Sequence, residues 1–323
     1  MSPRTPAGLP PSPPLRAGAP AVVLAGGVGV PARKWAGVVA GLERPLLDDA
    51  HAPSSAPISW IAVERPGLGR RRGHRLGDVP EFADEVARIV HELRRCRDAG
   101  ASPVVLAAHS AAGFLAEAAV RANPGLVDGV LLIDVSVVED AGRPFAPYET
   151  VSHVVGLVSE PLVRRAVPGM RRGELPSLLL ENAVFGRWAR ELRELRDLRP
   201  GDTAPVTGAV SANSTDPAEK CVTAVTDVVA VPKRVLWRAG SDADAASDVS
   251  AEFVADLPGR AAHLRTWRGL AGGADSLREV ILAPCPHMVM SHRPDDVASE
   301  IRALIARTSA TGRDSGPAAP GAS

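Results

Sequence analysis

The feature that most restricts the fold is an alternation that runs along the first 136 residues. A short apolar run is followed by a turn, and the turn by a helix-periodic stretch. "PAVVLAGGVG" (20–29) reads as a strand ending in a glycine-rich turn, and "ARKWAGVVAGL" (32–42) as a helix. "ISWIAVERPGLGRRRG" (58–73) is a second strand ending in a Pro-Gly turn. "PEFADEVARIVHELRRCRDAG" (80–100) is an amphipathic helix with Val86, Ile89, Val90 and Leu93 as its apolar stripe and Gly100 as its C-cap. "PVVLAA" (103–108) is a third strand, Ala112–Ala122 a helix stopped by Asn123-Pro124-Gly125, and "GVLLIDVS" (129–136) a fourth strand. The strand runs are apolar at consecutive positions, so both of their faces must be covered. Parallel strands need long crossovers, which the helices supply. The expected class is α/β: a mostly parallel sheet flanked by helices.

The alternation breaks after residue 139. Residues 140–228 hold helical stretches without clear strands, and a helical lid insertion is expected there. Within it the arginine-rich segment Arg187–Arg199 carries Trp188, Leu192 and Leu195 at helical spacing, read as a packing face. The alternation resumes at "PKRVLWRAG" (232–240), a helix near Ser250–Leu257, and "SLREVILAP" (276–284). The last helix is "RPDDVASEIRALIAR", with Pro294 in its first turn and Asp295 and Asp296 at its positive end. The expected organisation is therefore a core of 19–139 and 229–309, a lid of 140–228, and disordered tails at 1–18 (proline-rich) and 310–323.

Composition excludes several functions. Lysine plus arginine equals aspartate plus glutamate at 37 each, so no nucleic acid or anionic membrane is expected as a partner. No stretch of about 18 apolar residues marks a membrane span, and residues 1–18 lack the apolar core of a secretory signal. Cys96, Cys221 and Cys285 are odd in number and lack metal-ligand spacing, which fits a reducing compartment. A cytoplasmic protein is expected. The "AGGVG" turn lacks the Lys-Ser/Thr of a phosphate loop and the spacing of a dinucleotide fingerprint. The run Arg70-Arg71-Arg72 is read as solvated surface.

The junction Ala108-His109-Ser110-Ala111-Ala112-Gly113 carries the chemistry. A buried strand must reverse into a helix at once, with Ser110 at the apex, pushed toward φ > 0. The positions two before and two after, Ala108 and Ala112, must be small, because the two backbones nearly touch there. The hydroxyl then stands above the sheet, and the Ala111 amide points from the helix N-terminus to where an oxyanion would form. This stretch resembles the nucleophile elbow of the α/β-hydrolase family, G-x-S-x-G, with alanine at both glycine positions. Three more stretches resemble the family in the same order. "VVLAGGVGVPARKW" is similar to its oxyanion loop, with Ala25 in place of the usual histidine and Gly27 or Val28 as the backbone donor. "ERPGLGRRRG" is similar to its Asp-x-Pro-Gly-x-Gly turn, with Glu64 for aspartate. "CPHMVMSHRPDDVASEI" is similar to its late histidine stretch, with Pro286 for glycine. The resemblance spans about residues 20–307, the insertion excepted in detail.

A serine hydroxyl needs a base within hydrogen-bond reach, held by a third group. The resemblance implies His287, which follows the last strand, as that base. His292 is read as surface or packing, and His109, beside the serine, as lining the substrate pocket. Cys285 is too close in sequence to His287 to reach the elbow and is read as packing. The acid has two placements in this fold. One gives Asp134, which ends an apolar strand where an unpaired carboxylate is costly. The other gives Asp242 or Asp244 in "RAGSDADAASD", although the spacing from Gly240 falls on Ala243. Both stay open. The expected activity is hydrolysis of an ester, thioester, lactone or amide of a small acyl substrate through an acyl-serine. The serine argues against the dehalogenase and epoxide-hydrolase branches, which use aspartate there. No cofactor or metal is implied, and the oligomeric state is open. Two rivals stand beside it. One is acyl transfer, or a lyase or cyclase step, on the same fold; the other is a non-catalytic ligand-binding protein.

Overall fold

A computed structural model describes residues 9–11, 13–27, 30–44, 57–64, 81–137, 187–197, 222–230 and 259–313. Their strands form one six-stranded sheet in the order β2-β1-β3-β4-β5-β6. The strands are β1 (Ala21–Ala25), β2 (Ser59–Val63), β3 (Val104–His109), β4 (Gly129–Ile133), β5 (Ala224–Ala230) and β6 (Leu277–Leu282). Every pairing is parallel. The helices are α1 (Ala36–Glu43, entered through a 3-10 turn at Ala32–Trp35), α2 (Phe82–Asp98) and α3 (Ala112–Ala122). A helix over 187–197 is α4. Then follow α5 (Arg260–Leu270), α6 (Val289–His292) and α7 (Pro294–Arg313).

Strand periodicity sorts the core into two layers. Val23, Ala25, Val104, Leu106, Ala108, Val130 and Leu132 face α2, α3, α4 and α5. Val22, Leu24, Val105, Ala107, Leu131 and Ile133 face α1, α6 and α7. The inner strands β1, β3 and β4 thus bury both faces, as their continuous apolar runs predict. On the second layer the α1–α7 contact is close. A Cβ on Gly37 would lie 2.8 Å from the Pro294 Cβ, and one on Gly41 2.7 Å from the Ala298 Cβ. α2 ends as expected, with Gly100 at φ 75. The Gly100 and Ala101 N–H groups return to the Arg97 and Cys96 carbonyls at 2.8 and 3.0 Å, a Schellman ending.

Several boundaries differ from the sequence expectation. Residues 224–228, assigned to the insertion, belong to β5 in the sheet. The run 232–240 and the helix expected near Ser250–Leu257 lie outside the described residues. α5 was not anticipated. Its buried face pairs Leu264, Trp267 and Leu270 with the polar Arg260 and His263, so its apolar signal is short. The proline-rich tail is partly docked: Leu9 and Leu15 pack against the two layers, and the Ser59 hydroxyl donates to the Pro14 carbonyl at 3.1 Å. α7 continues to Arg313, past the expected order limit at 310. The arginine-rich segment packs as expected. Trp188 and Leu192 are fully buried in the first layer. Trp188 lies 6.4 Å from the Phe82 ring. Arg196 grips the buried Glu117 of α3 with two bonds of 2.6 and 2.7 Å. No described helix is long and apolar enough to cross a membrane.

Candidate active site

The site stands at the C-terminal ends of β3 and β4. β3 delivers its chain into α3 with a single residue of reversed backbone, Ser110, at φ 55. Asp134, directly after β4, has φ 44. Among the described residues these are the two non-glycine positions with positive φ, a conformation costing roughly 1–3 kcal/mol each. Main-chain bonds hold both. The Ser110 N–H donates to the Ile133 carbonyl at 3.2 Å, the Ser136 N–H returns to the Ser110 carbonyl at 3.2 Å, and the Asp134 N–H donates to the Val228 carbonyl at 2.7 Å. β5 therefore positions Asp134.

His287 arrives from the other side of the gap, on the loop between β6 and α6. Its Nδ1 lies 2.6 Å from Asp134 Oδ2 and its Nε2 3.0 Å from Ser110 Oγ. A carboxylate only accepts, so Nδ1 carries the proton and donates to Asp134. Nε2 is then left as the acceptor of the serine O–H. Such a chain can take a proton from Ser110 as the oxygen attacks, and can stabilise the imidazolium that forms. The His287 side chain is 54% exposed and Asp134 22% exposed, so the imidazole is open to small molecules. Of the two placements left open for the acid, one is described. Asp134 contacts His287 Nδ1, whereas Asp242 and Asp244 lie outside the described residues.

The oxyanion side is partly described. The Ala111 N–H, at the head of α3, finds no described acceptor. Gly27 comes so close to the elbow that a Cβ there would lie 2.5 Å from Ser110 Cβ and 3.0 Å from Ser110 Oγ. Only glycine lets the β1 loop approach the serine this way. Val28 lies outside the described residues, as do Arg70, Arg71 and Arg72. Ala108 and Ala112 are fully buried, their methyl groups accommodated. The contact that needs glycine falls one residue later, at Gly113, where a Cβ would meet Val135 Cβ at 2.7 Å. The alternation pattern gave no signal for that residue.

His109 departs from expectation. It does not line an open pocket: it is fully buried, with Nε2 2.9 Å from the His287 carbonyl oxygen and its ring 4.7 Å from the His287 ring. The alternation along β3 explains this, since His109 follows Val105 and Ala107 onto the layer under α6 and α7. His292 is exposed at the end of α6. Cys285 is fully buried in the second layer, and burial pushes its thiol above the ordinary value.

The comparisons with known proteins agree with this architecture. The family model described as "Alpha/beta hydrolase family" matches residues 22–300. No curated protein matches the sequence. Among solved structures, the chain is similar to the RedJ thioesterase from the prodiginine biosynthetic pathway of Streptomyces coelicolor. The TM-score is 0.53 at 16% identity, covering 94% of this chain and 91% of that one. It is also similar to the Vlm2 thioesterase domain bound with a dodecadepsipeptide, with TM-score 0.51, 15% identity, and 90% and 94% covered. A third is Cfl2 of Burkholderia cenocepacia, with TM-score 0.52, 15% identity, and 90% and 89% covered. At these identities the likeness is one of fold.

Proposed function

The chain belongs to the α/β-hydrolase family, a hydrolase by that membership, and from this premise we propose that it cleaves a small acyl substrate through an acyl-serine on Ser110. The observation that carries the reading is the unbroken chain Ser110 Oγ, His287 Nε2, His287 Nδ1, Asp134 Oδ2, at 3.0 and 2.6 Å. Ser110 attacks the carbonyl carbon while its proton passes to His287 Nε2. The negative charge on the carbonyl oxygen is met by the Ala111 amide and by the β1 loop at Gly27 or Val28. Collapse expels the alcohol, thiol or amine, which takes the proton from His287. Water, deprotonated by the same nitrogen, then attacks the acyl-serine and releases the acid. Asp134 holds the imidazole tautomer throughout.

Two of the similar structures are named thioesterases. Acyl thioesters are therefore our first substrates to try, with esters, lactones and amides after them. No step draws on a cofactor. The same acyl-serine would also serve transfer to an acceptor other than water.

The test is intact mass after treatment with a fluorophosphonate. The expected result is one adduct on the wild type, none on Ser110→Ala, and an adduct formed far more slowly on His287→Ala. Folded wild-type protein that takes no adduct, although small ligands reach the pocket, refutes the reading.

A further inference from the structure

His109 has no part in the proton path just described, yet among the described residues it is the one buried histidine that touches the base. The β3 pairing fixes its position, since His109 stands opposite Ile133 as the last residue in register before the elbow. Its side chain therefore points beneath the loop that brings His287 in. That loop turns sharply. Met288 has φ -79 and ψ 59, and the Val289 N–H returns to the His287 carbonyl at 2.8 Å, an inverse γ-turn. The same carbonyl faces His109 Nε2 at 2.9 Å. A carbonyl oxygen only accepts, so the proton of the neutral His109 ring sits on Nε2. The Nδ1 atom is buried without a hydrogen-bond partner, so a second proton there would be left unpaired.

We propose that His109 is a positioning residue of the triad: its Nε2–H fastens the γ-turn that aims His287, and so ties the base to the residue adjoining the nucleophile. Residues 109 and 110 are consecutive, one holding the base's main chain and the other facing its ring. Any displacement of the β6–α6 loop is thus resisted at the point that sets the Oγ to Nε2 distance. The ring-to-ring contact of 4.7 Å adds a packing stop on the same side. Burial, the adjacent His287 ring and the unpaired Nδ1 keep His109 uncharged. It therefore does not oppose the positive charge that His287 gains during attack. The inference rests on the serine-hydrolase reading of the site.

Three variants test it. His109→Phe keeps the ring and removes the donor. His109→Gln places an N–H near the Nε2 position, and His109→Asn places one near Nδ1. The measurement is fluorophosphonate inactivation across inhibitor concentrations, separating the reversible binding constant from the maximal rate of adduct formation, with thermal melting as the folding control. The expected result is a maximal rate roughly 10- to 100-fold lower in His109→Phe, with the binding constant unchanged. His109→Gln should recover most of the loss and His109→Asn little of it. Equal rates in wild type and His109→Phe overturn the proposal, as does equal recovery by Gln and Asn. If the wild type itself takes no adduct, the hydrolase reading falls and this proposal with it. Should His109→Phe fail to fold, the nitrogen spectrum of histidine-labelled wild type decides. A neutral Nε2–H tautomer at His109 supports the strap, and an Nδ1–H tautomer overturns it.

Discussion

Two aspartate–histidine pairs stand on neighbouring strands of this sheet, with opposite fates. Asp134, after β4, meets His287 at 2.6 Å, and the pair is 22% and 54% exposed. Asp227, inside β5, meets His263 of α5 at 3.2 Å, and that pair is 1% and 5% exposed. In the first, the second ring nitrogen faces a serine hydroxyl. In the second, the same Asp227 oxygen that meets His263 also takes Arg260, which reaches on to Glu279 at 2.8 Å. Burial alone would raise the Asp227 carboxyl. The His263 bond, with the charges of His263 and Arg260, outweighs it and holds the group below its ordinary value. A carboxylate–imidazole contact is thus common to the proposed reaction site and to a buried structural joint between β5 and α5. What separates them is access and the atom on the far nitrogen.

The largest effect that sharpens the contrast belongs to Asp134→Asn. An amide in place of the carboxylate can present its N–H₂ to Nδ1 and select the wrong tautomer. Hydrolytic rate on a thioester or ester substrate should drop about 10⁴-fold, while the melting temperature stays near that of the wild type. A loss of stability as large as that of the Asp227 variant would place Asp134 among the structural joints instead.

Asp227→Asn should do the reverse. Removing one partner from a buried ion pair costs about 3–5 kcal/mol, toward the lower end here because Arg260 keeps Glu279. Denaturant titration reads this directly. The folded fraction should still take the fluorophosphonate at Ser110 at the wild-type rate. The sign of the pH effect is set by the lowered carboxyl. The stabilisation is complete above the ordinary aspartate value of about 3.9 and is lost as pH falls below it. The variant should therefore lack part of the wild type's acid sensitivity in that window. A variant that stays stable but loses labelling would show that the β5 joint reaches into the site.

The same contrast explains what was legible in the sequence. Ser110 was readable because a continuous apolar strand stops at it and a small-residue helix starts, a local pattern. Asp134 was readable as a candidate because it ends an apolar run, and His287 as the base, but their pairing was not, since 153 residues separate them. β5 was missed because Thr226 and Asp227 interrupt "AVTDVVA". Their partners, Arg307 for Thr226 and Arg260 and His263 for Asp227, come from distant helices. α5 was missed for the matching reason, since its buried face spends two positions on Arg260 and His263. His109 was read as lining the substrate pocket, whereas it is fully buried against the loop that carries His287. Its neighbour in space is a main-chain carbonyl, which leaves no mark on the sequence.

His109 supplies the smallest effect per pH unit and the finest test, because it is a third kind of histidine, buried like His263 yet without a carboxylate. Burial and the neighbouring His287 hold its pKa down at about 3, although its bond to the His287 carbonyl pulls the other way. An unfolded histidine titrates near 6.5. Between these values the unfolded chain binds a proton that the folded chain does not, so stability rises with pH through the window. Its contribution is intact above about 6.5 and is lost progressively as pH falls toward 3, at up to about 1.4 kcal/mol per pH unit. Denaturant unfolding of wild type and His109→Gln at pH 7, 6, 5 and 4 measures it. The two curves should run parallel above pH 6.5, and the wild type should fall away more steeply below. Parallel curves throughout would mean that His109 takes up its proton in the folded state, which a buried ring with an unpartnered Nδ1 has no means to accommodate.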